Sequence, residues 1–230
     1  MKRRSLYLSF TFADIRMILD LHTHSVKSDD GRAKVENYCK WIQKKELPLD
    51  GFVLTEHRQF DDQSDYRPLE DAYGLTIMKA SEVETDYGHV LVFGVNDDLL
   101  NAFDFTNVRL PIEMVLEESS KVGAFAAPCH PGRKRVGLFA HYEEKGPIQG
   151  VHTVETLNGG SIPGEDELSS NMAETLGYRG FGGSDSHVVS RIGYCATNFP
   201  NQKIDNIGQL VGALKAGDFS AISMKEQISP

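Results

Sequence analysis

Residues 18–31 read Ile-Leu-Asp-Leu-His-Thr-His-Ser-Val-Lys-Ser-Asp-Asp-Gly, a short apolar run that ends in a burst of ligand-type side chains. Residues 18–22 predict a buried strand. Asp20, His22 and His24 occupy alternate positions, and a period of two puts their side chains on one face. Asp29 follows in a polar loop. Imidazoles and carboxylates delivered at a strand's C-terminal end are the pattern of barrels and open parallel sheets that assemble sites there.

Working outward, short apolar runs alternate with amphipathic stretches. Strands are predicted at 51–55, 76–83, 89–93, 124–127, 151–157, 179–183 and 194–199. Helices are predicted at 33–45, 111–122, 165–176 and 204–216. Val35, Tyr38 and Ile42 keep helical spacing, Pro111 opens a helix, and Gly123, Gly177 and Gly217 stand just past helix ends. This alternation argues for an α/β fold with a largely parallel sheet, closed as a barrel or doubly wound. No Gly-x-Gly-x-x-Gly follows the first strand, so a dinucleotide fold has little support. No repeat or linker-like shift is visible. One domain is expected over residues 17–230, with residues 1–16 as an N-terminal extension.

Ligand-type residues recur where strands end. His57 closes the second strand, Glu82 the third and His130 the fifth; Asp185 and His187 close the last core strand. His89 opens the strand after Glu82. With His22, His24 and Asp29 they make nine, and of the eight histidines only His141 and His152 fall outside. One histidine at a strand end is usually a satisfied polar residue. The ordered set, all at one end of the sheet, is hard to produce by chance. Imidazole with carboxylate and no cysteine suits Zn²⁺, Mn²⁺ or Fe²⁺. Nine ligands suffice for two or three ions if one carboxylate bridges. Three carboxylates without counter-charge would be costly to bury, whereas divalent ions make the cluster a cradle for phosphate.

The 230 residues are 40% hydrophobic and 25% charged, which excludes disorder and collagen-like repeats. The formal charge of −9 weighs against gripping long nucleic acid by charge. Cys39, Cys129 and Cys195 are dispersed, so a disulfide framework is not expected and a reducing, cytoplasmic setting fits. No apolar run reaches a membrane span of ~18–20 residues. The one basic cluster, Gly132-Arg133-Lys134-Arg135, follows His130 directly, and Arg191 follows His187 by four residues. Arg133 and Arg191 are therefore the candidate phosphate contacts.

At these residues the sequence resembles the polymerase-and-histidinol-phosphatase (PHP) superfamily of metal-dependent phosphoesterases. The matching segments are DLHTHS with SDDG, LTEH, SEVET, HVLVFG, CHPGR, VETLNG and GSDSH. The resemblance implies a distorted (β/α)₇, TIM-like barrel with the metal site at the strand C-termini. It implies that His22, His24, Glu82 and Asp185 hold one ion. Glu82 bridges to a second, held also by His89 and His130, and Asp29, His57 and His187 hold a third. The implied activity is hydrolysis of a phosphomonoester or a short nucleotide or oligonucleotide phosphoester by a metal-bound hydroxide. One departure stands out: where the family commonly has Thr-Asp-His-Asp, this chain has Thr55-Glu56-His57-Arg58. Two alternatives remain open: a catalytically silent metal-binding or regulatory PHP module, and a metal-dependent amide hydrolase.

Overall fold

The computed structural model describes residues 16–228. The expected N-terminal extension lies outside them, apart from Arg16. In chain order the elements are β1 (Arg16–Thr23), α1 (Val35–Lys45), β2 (Gly51–His57), α2 (Arg67–Tyr73), β3 (Thr76–Thr85), β4 (Gly88–Phe93), α3 (Asp97–Ala102), α4 (Ile112–Lys121) and β5 (Phe125–Pro128). There follow α5 (Tyr142–Lys145), β6 (Thr153–Asn158), α6 (Glu165–Leu176), β7 (Arg179–Gly183), β8 (Cys195–Pro200), α7 (Ile207–Ala216), β9 (Ser220–Ser223) and α8 (Lys225–Ile228).

The largely parallel sheet that the alternation predicts is only partly present. Seven strands form one curled sheet in the order β5-β4-β3-β2-β1-β8-β9. β1, β2 and β3 pair in parallel, while β4, β5, β8 and β9 join antiparallel. β6 and β7 form a separate parallel pair. The α/β class holds, but the (β/α)₇ barrel is not closed by hydrogen bonds.

Two local causes account for the departure. Only Asp86 and Tyr87 separate β3 from β4, and two residues permit a hairpin but not a parallel crossover. At β7, side chains take the place of a ladder. The Thr197 hydroxyl accepts from the Gly182 N–H at 2.9 Å and donates to its carbonyl at 2.8 Å. Asp20, fully buried, accepts from the N–H groups of Ser184 (2.8 Å) and Gly193 (2.9 Å). Backbone groups at the seam are thus satisfied without strand pairing.

β7 still lies close against β1. A Cβ on Gly183 would stand 2.4 Å from His22 Cβ and 2.7 Å from Glu155 Oε1, so only glycine fits there. Beyond β7, the Asp185 N–H donates to the His22 carbonyl (2.7 Å), and the His24 N–H donates to the Ser186 carbonyl (2.9 Å).

Leu19, Leu21, Val53, Met78, Leu91, Phe93, Phe181 and Phe199 pack with Leu210 and Leu214 of α7 in a fully or nearly fully buried core. Removing that much apolar surface from water is the main favourable term holding the sheet around the site. α1 covers the outer face of β1 and β2 through Tyr38, Cys39 and Ile42. No helix among the described residues is long and apolar enough to cross a membrane.

Candidate metal centre

Glu82 is the point on which the site converges. It is completely buried near the end of β3. Its Oε1 lies 2.7 Å from His89 Nδ1 and 3.1 Å from His130 Nε2. Its Oε2 lies 3.1 Å from His22 Nε2, 3.2 Å from His24 Nε2 and 3.3 Å from His57 Nδ1. Asp185 Oδ1 adds contacts of 3.5 Å to His22 Nε2 and 3.3 Å to His24 Nε2. Eight of the nine residues singled out in the sequence come together here: His22, His24, His57, Glu82, His89, His130, Asp185 and His187.

Asp29 is the exception. Its carboxylate is turned onto Arg58 at 2.5 Å and does not face the histidines. Its neighbour Asp30 does, with Oδ2 3.1 Å from His187 Nε2. Asp20, which was not among the nine, serves the backbone. The β1–β2 register shifts between Asp20 and Thr23, and Asp20 stitches the seam while His22 and His24 reach Glu82.

The local backbone aims these groups. The β3–β4 hairpin returns His89 to the end of the sheet where Glu82 stands, in register opposite Glu84. Arg58, His130 and Asp185 have φ values of 53°, 32° and 51°. Side chains other than glycine rarely adopt that left-handed region, at a cost of about 1–2 kcal/mol each, and such residues cluster at functional sites. In the loop after β1, the N–H groups of Ser25 and Ser28 and the Ser28 hydroxyl donate to buried Glu56. A Cβ on Gly31 would fall 1.8 Å from the Ser25 carbonyl oxygen, so this loop closes only with glycine.

A further set of side chains orients the imidazoles. Glu155 of β6 faces His22 Nδ1 at 3.1 Å and accepts from the His130 N–H and Asn158 Nδ2, both at 2.8 Å. Once neutral, as a ligand must be, His22 therefore carries its proton on Nδ1 and turns a lone pair from Nε2 toward Glu82 and Asp185. His187 Nδ1 donates to the Asp185 carbonyl at 3.0 Å, which likewise frees its Nε2. Glu155 lies within VETLNG, one of the segments that carry the resemblance; Asp30 was hidden because adjacent carboxylates in SDDG cannot be told apart without knowing where Arg58 lies.

Electrostatics shows what the cluster lacks. Burial disfavours a charged His22, but Glu155, Asp185 and Glu82 outweigh it and raise its pKa well above the usual range. The same contest lifts His24 to about 9, through Asp185 and Glu82. Burial would raise Glu82 and Asp185, yet the surrounding imidazoles hold both well below the carboxylate range. His57 and His130 are pushed down, chiefly by burial. Without metal ions, protons on His22 and His24 and the Arg133 guanidinium offset the buried carboxylates of Glu82, Asp185 and Glu155.

The geometry is poor for that arrangement. His24 Nε2 and His57 Nδ1 are buried and lie 3.2–3.3 Å from carboxylate oxygens, yet neither makes an aligned hydrogen bond. Buried polar atoms are rarely left unpaired. Their donor atoms converge on shared points instead of on one another. Four overlapping groups, His22–His24–Glu82–Asp185, His22–Glu82–Cys129–His130, His57–Glu82–His89 and His24–His57–His187, each bring ligand atoms within 4.8 Å of one another. Nitrogen and carboxylate oxygen in such sets fit divalent transition-metal ions.

A cavity of about 300 Å³ opens over the cluster, lined by Asp30, Arg58, Glu82, His89, Arg133 and His187 among others. Arg133 Nη2 donates to Asp185 Oδ2 (2.8 Å) and to Asn158 Oδ1 (2.9 Å). Arg191 lines an adjoining cleft that shares Asp30, Arg133, Asp185 and His187 with the first. Lys134 and Arg135 are exposed and line neither.

Residues 165–219 match the family described as PHP-associated. No curated protein matches the sequence. Among solved structures, PsfC from Pseudomonas syringae is similar at a TM-score of 0.66 and 20% identity, over 93% of each chain. A protein from Bifidobacterium adolescentis, provisionally called a metal-dependent phosphoesterase, aligns at a TM-score of 0.56 and 16% identity, over 86% of this chain and 96% of its own. The lesion-specific endonuclease Q of Pyrococcus furiosus aligns at 0.63 and 14%, over 90% of this chain but only 58% of the enzyme. At these identities the likeness is one of fold.

Proposed function

We propose that the chain is a member of the PHP superfamily and a metal-dependent phosphoesterase, a reading supported by the PHP-associated match over residues 165–219 and by the shared fold. The observation that carries this reading is the convergence of five imidazoles on the two oxygens of one buried carboxylate, Glu82, beneath an arginine-lined cavity. His22, His24, Glu82 and Asp185 would hold one ion and His89 and His130, with Glu82 as the bridge, a second. His57 and His187 belong to a third position. Two or three ions of the Zn, Mn or Fe type suit these donors.

Divalent ions held there would lower the pKa of water toward about 7 and neutralise phosphoryl charge. The chain's own residues supply the rest. Glu155 fixes the His22 tautomer. Glu82 sets the spacing between the groups on either side of it. Arg133, pinned to Asp185 and Asn158, presents its guanidinium where phosphoryl oxygens would enter, and charge stabilisation at those oxygens is the main catalytic demand. Arg191 stands along the adjoining cleft, where the remainder of a substrate would extend.

A small phosphorylated substrate fits a cavity of about 300 Å³ and a chain of charge −9. Charge alone does not decide the matter. Endonuclease Q, which has this fold, has been captured with a 27-mer duplex carrying an abasic lesion, so a nucleic-acid end or lesion belongs among the substrates to test. A cytoplasmic setting fits the three free, buried cysteines.

The test has two stages. Elemental analysis of gently purified protein should find two to three equivalents of metal per chain. The loaded protein should then release phosphate or cleave one of a panel of phosphomonoesters, oligonucleotides and lesion-bearing duplexes, in preference to amide substrates. Protein that neither carries metal nor regains it from Zn²⁺ or Mn²⁺ would refute the reading.

A further inference from the structure

The sequence SDDG offers two adjacent carboxylates, and the structure sends them in opposite directions. Arg58 forks between Asp29 Oδ2 (2.5 Å) and Glu84 Oε1 (2.6 Å). Its backbone is fixed as well: its N–H donates to the Glu82 carbonyl at 2.8 Å, and its φ is 53°. Two charge-assisted bonds at such lengths are among the stronger contacts a partly exposed side chain makes, so Asp29 is not free to turn inward.

Asp30 is turned inward. Its Oδ2 is 3.1 Å from His187 Nε2 and 3.7 Å from His57 Nε2. Those two nitrogens are 3.4 Å apart. The rings of His57 and His187 both stack on His24, at 4.2 and 4.3 Å. His24, completely buried, has no hydrogen-bond partner for Nε2, and neither has His57 for Nδ1. Those two atoms face Glu82, and on the other side of the His57 ring Asp30 Oδ2, His57 Nε2 and His187 Nε2 meet as a separate set of three donors.

We propose that Asp30, not Asp29, is the carboxylate of the third ion position, shared with His57 and His187. Arg58 makes that choice by holding Asp29 away. This rests on the metal-dependent reading given above. The donors here are more exposed than those around Glu82, with Asp30 56% and His187 27% exposed against 0% for His22, His24 and Glu82, so the third ion is bound more weakly than the pair around Glu82 and is the first to exchange.

The test counts ions in the full-length protein. Metal-free protein is titrated with Mn²⁺ against a competing chelator, and bound metal is measured after desalting. Wild type takes up a third equivalent more weakly than the first two. Asp30→Asn weakens the third equivalent at least about tenfold, since even outer partners of ligands are worth 10–100-fold. Asp29→Asn leaves it within about threefold. Both carboxylates are more than half exposed, so neither variant disturbs packing. Adding Arg58→Ala to Asp30→Asn frees Asp29 and restores the third equivalent. Loss of the third ion in Asp29→Asn with retention in Asp30→Asn overturns the assignment. So does wild type that saturates at two ions, an outcome that leaves the phosphoesterase reading standing. Wild type that binds no ion refutes that reading itself.

Discussion

Glu155→Gln is the sharpest probe of how this chain prepares its imidazoles. The Glu155 carboxylate serves three donors, one oxygen facing His22 Nδ1 and the other accepting from the His130 N–H and Asn158 Nδ2. Glutamine keeps a single acceptor oxygen. If that oxygen stays with His130 and Asn158, the new amide N–H₂ meets the Nδ1–H of His22, donor against donor. The imidazole escapes by moving its proton to Nε2, the atom that faces Glu82 and Asp185 at 3.1 and 3.5 Å. A proton then stands where a ligand lone pair is needed. The loss expected for such an orienting partner is 10–100-fold in metal affinity, about 1.4–2.7 kcal/mol. Glu155 also heads the carboxylates that raise His22, so the variant holds its His22 proton less tightly and releases roughly one proton fewer when the ion binds. Competition against a chelator reads the affinity, and calorimetry in two buffers of different ionisation enthalpy reads the protons. Wild-type affinity with unchanged proton release would falsify the tautomer argument.

The wild-type centre should itself release roughly two protons per chain at pH 7, because His22 and His24 must lose theirs to ligate; apparent affinity therefore climbs with pH up to about 9, where His24 titrates. In metal-free protein the sign runs the other way for stability. A His24 pKa lifted from 6.5 to about 9 contributes stability in full below pH 6.5 and loses it as pH rises through 9. Metal-free protein should thus melt lower at pH 9.5 than at pH 6.5, by thermal scans at both. Gly183→Ala forces a methyl to within 2.4 Å of His22 Cβ; a loss of about 1–3 kcal/mol is expected from overpacking, read as a lower urea midpoint at unchanged slope. Arg133→Ala should cut kcat/KM for a phosphoester about 10–100-fold, since a hydrogen bond to a charged group is worth about 1.5–3 kcal/mol. Metal uptake should persist, since Arg133 is not among the eight converging residues; metal loss equal to the activity loss would make Arg133 a support for Asp185 alone.

The convergence of these side chains was legible in the sequence because strand ends are. HxH after an apolar run, LTEH, SEVET, CHPGR and GSDSH each mark a place where a strand stops, and in a sheet of this kind those places meet. Strand directions were read less well. Alternation suggested a parallel sheet, yet the two-residue gap between SEVET and GHVLVF already required a hairpin, and that hairpin is what brings His89 back to Glu82. The open seam at β7 was not legible, because it depends on Thr197 and Asp20 satisfying backbone groups that a closed ladder would otherwise pair. The choice between Asp29 and Asp30 was equally hidden. It is made by Arg58, whose side chain reaches 29 residues back along the chain.

The unclosed barrel bears on what a bound ion does mechanically. His22, His24, His57, Glu82 and His89 ride on or just beyond the seven-stranded sheet, whereas Asp185, His187 and Glu155 belong to the detached β6–β7 pair or its exit. Little backbone pairing spans the gap. Ions coordinated from both sides would rivet two halves that otherwise meet through side chains and a few bonds of connecting loop. Chelation should then act as an unclasping: amide exchange should quicken first along β7 and the segment after it, while β2 and β3 stay protected. The protein's catalytic equipment and its fastener would be the same few atoms.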